Sequence, residues 1–184
     1  MKISVQGQLV DISHLAPITH RMTLDLRGGK QKKNALLEIS FSNHCYSRGP
    51  AEGEEIPADM LVPDGSPAKP RNRIFCPVRY GHSLDLVRKI GALVEGNGAV
   101  CKSRHRNFFS TTVVTQDENG SPVEVPYYIF ISARKAQDEG RPPKLILFVE
   151  SAYPESPHIP SPEGQGNPIP LSEMLGRVWV NGKI

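Results

Sequence analysis

"KLILFVES", residues 144–151, decides how the rest of the chain is read. Leu145 to Val149 is apolar at every position, the pattern of a central strand covered on both faces. Such a strand needs partners, and the sequence supplies them upstream. "NFFSTTVVT" (107–115) and "PYYIFISA" (126–133) are strand candidates. Between them Asn119-Gly120 is a hairpin signal, complicated by Pro122 at the return. The loop "RKAQDEGRPP" (134–143) then leads into the central strand.

Working outward, "HSLDLVRKIGALVEGNG" (82–98) predicts the main helix. Ser83 is its N-cap, Asp85 lies in the first turn, and Leu86, Ile90, Leu93 and Val94 form the apolar stripe. Gly96 and Gly98 supply the stop. "RIFCPVRY" (73–80) reads as a brief strand whose Pro77 marks an edge or an early end. Residues 2–10 and 21–26 alternate as short strands, and Leu37, Ile39 and Phe41 share one face of another.

The stretch from Gly49 to Pro70 carries five prolines and reads as a long irregular loop. "PESPHIPSPEGQGNPIP" (154–170) is too proline-rich to continue a sheet or helix. "LSEMLGRVWVNGKI" (171–184) follows as a short helix-like piece and an apolar strand containing Trp179 that docks back. The expected architecture is α+β: an antiparallel twisted sheet with one main helix, N-terminal strands and a Pro-rich C-terminal tail. Four segments result: a β-rich part of the core or extension at 1–48, an irregular loop at 49–72, a helix-plus-meander core at 73–153, and the tail at 154–184.

A chain of 184 residues suits one domain and buries a core without disulfides or metals. Three cysteines form no disulfide framework and point to a reducing compartment, hence the cytoplasm. The N-terminus lacks the uninterrupted apolar segment of a signal peptide, and no run is long enough to span a bilayer. A soluble protein with no membrane partner is expected. The net charge of +3 hides an asymmetry: nine cations face only Asp85 and Glu95 between Lys69 and Arg106, which leaves the remainder of the chain negative. A basic block of this kind is the electrostatic footprint of a protein that meets phosphates, although solvated faces are also often basic.

The sequence contains no phosphate-binding glycine loop, dinucleotide fingerprint, nucleophile elbow or zinc-protease helix motif, and no cofactor is expected. Zinc would require Cys101 and His105 to join Cys76 and the His44-Cys45 pair. In a strand, residues four apart are about 13 Å apart along the axis, too far for ligands of one ion. No metal is expected, and buried ordinary cysteines are the simpler reading.

The basic run "VCKSRHRNFF" (100–109) holds Lys102, Arg104 and Arg106 around His105. Imidazole can take a hydroxyl proton near neutral pH, and guanidinium groups neutralise a phosphate whose charge grows in a transition state. In an extended chain, however, the three cations project from the opposite face to His105.

One helix, then a meandering sheet whose last strand runs "LILFVESAYP" (145–154), resembles the barnase, EndoU, colicin and RelE-type ribonuclease superfamily over residues 79–154. Ser151, Ala152 and Tyr153 resemble the strand ending of its toxin members, and "SRHRNFF" resembles their basic phosphate-contacting strand. The resemblance implies metal-independent RNA cleavage, as in a toxin or effector, by attack of a ribose 2′-hydroxyl on the adjacent phosphate. His105 or His82 would be base or acid, Ser151 and Tyr153 would orient the phosphate or assist proton transfer, and Arg79, Lys102, Arg104 and Arg106 would hold it.

The first 70 residues and the Pro-rich tail would then be additions to that core. The alternative is a non-catalytic module that binds nucleic acid or a protein partner, as a regulatory, immunity or mobile-element protein does. A cognate inhibitor would be one such partner. In that reading Phe75, Tyr80, Phe108 and Phe109 could stack bases if exposed, and are core residues otherwise.

Overall fold

Alternation at the N-terminus closes a two-residue hairpin. Strands β1 (Lys2–Val5) and β2 (Gln8–Asp11) are joined by Gln6 and Gly7, both left-handed at φ 51° and 74°. Strands β3 (Ile18–Leu26) and β4 (Gln31–Phe41) pair antiparallel, and Leu24, Leu37 and Ile39 on their inner face are fully buried. A 3-10 turn at Asn43–Cys45 leads into β5 (Ser47–Arg48). Strands β6 (Leu61–Ser66) and β7 (Lys69–Phe75) then complete a three-stranded sheet in the order β5-β7-β6.

Helices α1 (Pro77–Ser83) and α2 (Leu86–Glu95) follow, then strands β8 (Ala99–Lys102), β9 (Asn107–Gln116), β10 (Pro122–Ala136), β11 (Lys144–Pro154) and β12 (Gln165–Pro170), and finally helix α3 (Leu171–Asn181). This computed structural model describes residues 1–66, 68–103, 107–117, 119–156, 161–162 and 165–182. Among them, no helix is long and apolar enough to cross a membrane.

The main sheet has seven strands in the order β12-β8-β9-β10-β11-β4-β3. It is antiparallel-dominated, with β11 and β4 its parallel pair. β11 is therefore interior to the sheet, as its apolar run predicts, and the Asn119-Gly120 turn joins β9 to β10 as expected. The fold is α+β.

Burial along β11 nevertheless alternates. Leu145, Leu147 and Val149 are completely buried in one core with Leu86, Ile90 and Leu93 of α2 and Leu171, Met174 and Val178 of α3. Phe148, on the other face, is 38% exposed. The expectation of cover on both faces is corrected: the helices lie on one side, and an all-apolar run does not reveal which of its residues they cover.

Further expectations change. Residues 73–80 are not one strand, because β7 ends at Phe75 and Pro77 opens α1, where its missing N–H costs nothing. The single helix over 82–98 is two, with Asp85 before α2, and Ser83 does not cap it but is buried and donates to the Tyr80 carbonyl at 2.7 Å. The irregular loop at 49–72 contains β6 and the start of β7. Part of the proline-rich tail forms β12 on the edge of the main sheet, and the terminal strand with Trp179 is instead the last turns of α3, so the described residues hold three α-helices rather than one main helix. The N-terminal strands are likewise not additions: β4 lies directly against β11 inside the sheet.

A candidate anion-binding site at helix α1

Pro77 fixes the start of α1 and thereby the phase of the helix. Arg79 and His82, three residues apart, lie on one face a turn from each other. Arg79 donates through one terminal nitrogen to the carbonyls of His44 (3.2 Å) and Ser47 (3.1 Å). Its guanidinium carbon stands 4.9 Å from the centre of the Tyr153 ring.

Arg73 reaches the same place from β7, donating through Nε to Ser47 Oγ (2.8 Å) and through Nη2 to the Ser47 carbonyl (3.1 Å). Two guanidinium groups thus converge on one carbonyl oxygen. Burial lowers the pKa of both, yet an arginine stays charged in any protein environment. Among the described residues no carboxylate bonds to Arg79, and its Nε–Nη2 edge makes no hydrogen bond. Asp64, the acid that acts on Arg73, bonds to His44 Nε2 at 3.1 Å. Burial raises the Asp64 pKa, but hydrogen bonds from His44, Gly65 and Asn43 outweigh it and hold the carboxyl below its ordinary value.

His82 packs against Tyr127 with ring centres 5.5 Å apart. Burial, assisted by the Lys89 charge, lowers the imidazole pKa. Tyr127 is completely buried, and its hydroxyl has no hydrogen-bond partner among the described residues. Burial pushes its phenol above the ordinary range, so it stays neutral. An orphaned buried hydroxyl costs about 1–3 kcal/mol, whereas an apolar group of the same shape costs nothing. Tyr127→Phe is therefore expected to raise stability by about 1 kcal/mol in urea melts. A lower midpoint would mean that the hydroxyl is satisfied.

Of the residues predicted from sequence, Arg79 and Tyr153 are in contact here, and His82 lies one helical turn from Arg79 with its ring on Tyr127. Ser151 is nearby in β11 but only 6% exposed, paired across from Phe130, on which the Tyr153 ring stacks at 5.4 Å. Lys102 does not join them. It pairs with Asn107 at the end of β8, two strands from β10. Arg104, His105 and Arg106 lie outside the described residues. Phe75, Phe108 and Phe109 are buried and Tyr80 donates its hydroxyl to the Asp11 carbonyl, so none of the four is an exposed stacking platform, and Phe109 only borders a cavity under α2.

Of the residues of the zinc reading, His105 lies outside the described residues and Cys101 sits on the main sheet, apart from His44, Cys45 and Cys76. Cys45 is buried near the Val149 carbonyl with its thiol pushed up to about 12 by burial, and His44 is engaged by Asp64. Cys76 precedes α1, and Cys101 pairs with Phe108 in the main sheet. Among the described residues no three such groups assemble.

One contact had no signal in the sequence. His14 Nε2 lies 2.8 Å from Ser83 Oγ. The pair has the spacing of a base and a nucleophile, but Ser83 is completely buried and its proton is committed to the Tyr80 carbonyl. It pins the N-terminal turn to α1.

The titrating groups set an acid response in two windows. Burial holds His14 and His82 below the ordinary imidazole value, so the unfolded chain binds protons first as pH falls. Stability is then expected to decline below about pH 6.5. Glu54 and Asp85, each held at about 2 by Arg48 and Arg88 respectively, add a second loss below about pH 4 as the unfolded carboxylates protonate. Urea midpoints from pH 8 to pH 3 should show both declines, with His14→Gln reducing the upper one. A flat profile between pH 7.5 and 5.5 would contradict it.

No curated protein and no solved structure matches the chain. Its sequence matches the model of the YjaZ family over residues 2–179, nearly its full length, and the chain belongs to that family.

Proposed function

We propose that the protein binds RNA or a related phosphodiester polymer, holding a phosphate with Arg79. The observation that carries this reading is the unpaired Nε–Nη2 edge of a guanidinium fixed in place by two backbone carbonyls and an aromatic ring. That edge matches two phosphate oxygens, and its orientation is set before any ligand arrives. The second guanidinium at Ser47, that of Arg73, adds to the local positive field.

Fluorescence anisotropy with a labelled oligoribonucleotide at several salt concentrations tests it. Arg79→Met should weaken binding about tenfold and lower the salt slope by about one. Arg79→Lys keeps the charge but loses the fork, and should fall between the two. If RNA binds neither variant differently from the parent, or does not bind the parent, Arg79 is only a structural tie.

A second reading, metal-independent cleavage of the bound RNA, is favoured by His82 one turn from Arg79. His82 would take the proton of a ribose 2′-hydroxyl. The freed oxygen attacks phosphorus, the bond to the 5′-oxygen breaks, and a 2′,3′-cyclic phosphate remains. The leaving oxygen needs a proton, and Tyr153, whose ring lies against Arg79, would supply it. Because its pKa is lowered, His82 is in the base form at neutral pH. Cleavage in EDTA that is lost in His82→Ala, with RNA binding kept, is the expected result. Cleavage unaffected by that change would remove His82 from the reaction.

A further inference from the structure

Helix α2 stands over β9 and leaves a cavity of about 260 Å³ between them. Arg88, Lys89 and Leu93 line it from the helix, and Phe109 and Thr111 from the strand. Phe109 and Thr111 belong to the face of β9 that points toward α2, where they neighbour Ile129 and Tyr127 of β10.

The charges at its rim do not balance. Asp85 accepts from Arg88 with both oxygens, at 2.6 and 2.7 Å, and its second oxygen also meets Lys89 Nζ at 3.1 Å. One carboxylate, ionised because the Arg88 hydrogen bond holds it at about 2, serves two cations. A net positive charge remains. Arg88 is well solvated, whereas the Lys89 side chain is only 13% exposed. Two cations that share one carboxylate at the mouth of a cavity attract a further anion. Thr111 contributes a hydroxyl that bonds to none of the described residues, and Phe109 with Leu93 forms an apolar wall.

We propose that this cavity binds a nucleoside 5′-phosphate, with Lys89 and the Thr111 hydroxyl on the phosphate and the nucleoside against Phe109 and Leu93. The site is separate from Arg79 and does not depend on the RNA-binding reading. The same phosphomonoester chemistry is offered by a free nucleotide and by the 5′-phosphorylated end of an RNA.

Isothermal titration of the full chain with AMP, adenosine and inorganic phosphate tests it. AMP is expected to saturate, phosphate to bind more weakly, and adenosine not to bind. Lys89→Met should weaken AMP about tenfold and Thr111→Val several-fold, with Trp179 fluorescence melts confirming that both variants fold. Arg79→Lys should leave AMP affinity unchanged, which separates this site from the phosphodiester clamp. A 5′-phosphorylated oligoribonucleotide that displaces AMP, where the unphosphorylated one does not, would assign the site to RNA ends; failure of both to displace AMP would assign it to free nucleotides. Adenosine binding as tightly as AMP, no saturable AMP binding, or equal AMP affinity in Lys89→Met overturns the proposal.

Discussion

Gly176→Ala is expected to destabilise the protein by about 2 kcal/mol or more, although alanine is the better helix former by about 1 kcal/mol. Gly176 is buried in the middle of α3, where the helix meets β3. A Cβ there would fall inside van der Waals contact with the Asp25 carbonyl oxygen and 2.8 Å from its carbonyl carbon. Both are backbone atoms of a paired strand and cannot swing aside as a flexible side chain would. Relief requires α3 to lift, and lifting it uncovers Leu171, Met174, Leu175 and Val178, all completely buried.

Trp179 near the end of the same helix reports the change. Its ring lies 4.6 Å from the Lys135 ammonium and 5.8 Å from that of Lys33, and it is the single tryptophan of the chain. Urea melts followed by its fluorescence should shift to lower midpoint, with a red-shifted native spectrum. A midpoint equal to or above that of the parent would mean that helix propensity outweighs the clash, and that α3 packs less closely than described.

The second large effect is a contrast between adjacent residues of one strand. Leu147→Ala should cost about 3–4 kcal/mol, because Leu147 is completely buried between the sheet and the helices and its removal leaves a cavity. Phe148→Ala should cost about 1 kcal/mol or less, despite the larger side chain, since Phe148 faces away from the helices and is 38% exposed. Against a total stability of about 5–15 kcal/mol, the first change is severe and the second is not. Equal costs would indicate that the open face of the sheet is covered after all.

Phe148 also shows where reading the sequence alone stops. Five successive apolar residues place a strand inside a sheet, because such a run needs neighbours on both edges. The covering of its faces depends on where α2 and α3 dock, which is encoded elsewhere. The same distinction separates the helices. The stripe at Leu86, Ile90, Leu93 and Val94 carries its period locally and is legible. Leu171, Met174, Leu175 and Val178 carry that period too, but Val178, Trp179 and Val180 have strand propensity, and the packing of α3 overrides it. Pro77 signalled a boundary, and only the tertiary structure shows that it starts a helix rather than ends a strand.

The candidate site divides in the same way. Arg79 and Tyr153 could be named from residue type and resemblance, but their contact at 4.9 Å joins α1 to the end of β11, segments distant in the chain. Arg73, the second guanidinium at Ser47, drew no separate attention in the sequence because a basic block gives no means to rank its members. The orphaned Tyr127 hydroxyl and the single carboxylate shared by Arg88 and Lys89 are facts of three-dimensional enclosure.

By itself the sequence determined the α+β class, the interior position of Lys144–Pro154 and the hairpin at Asn119-Gly120, since apolar periodicity and turn chemistry act between near neighbours. The tertiary structure alone decided which sheet face the helices cover, that β4 runs parallel beside β11, and that Arg73 and Arg79 meet at the Ser47 carbonyl. Those outcomes depend on contacts between segments distant in the chain, whose geometry no local pattern of residues contains.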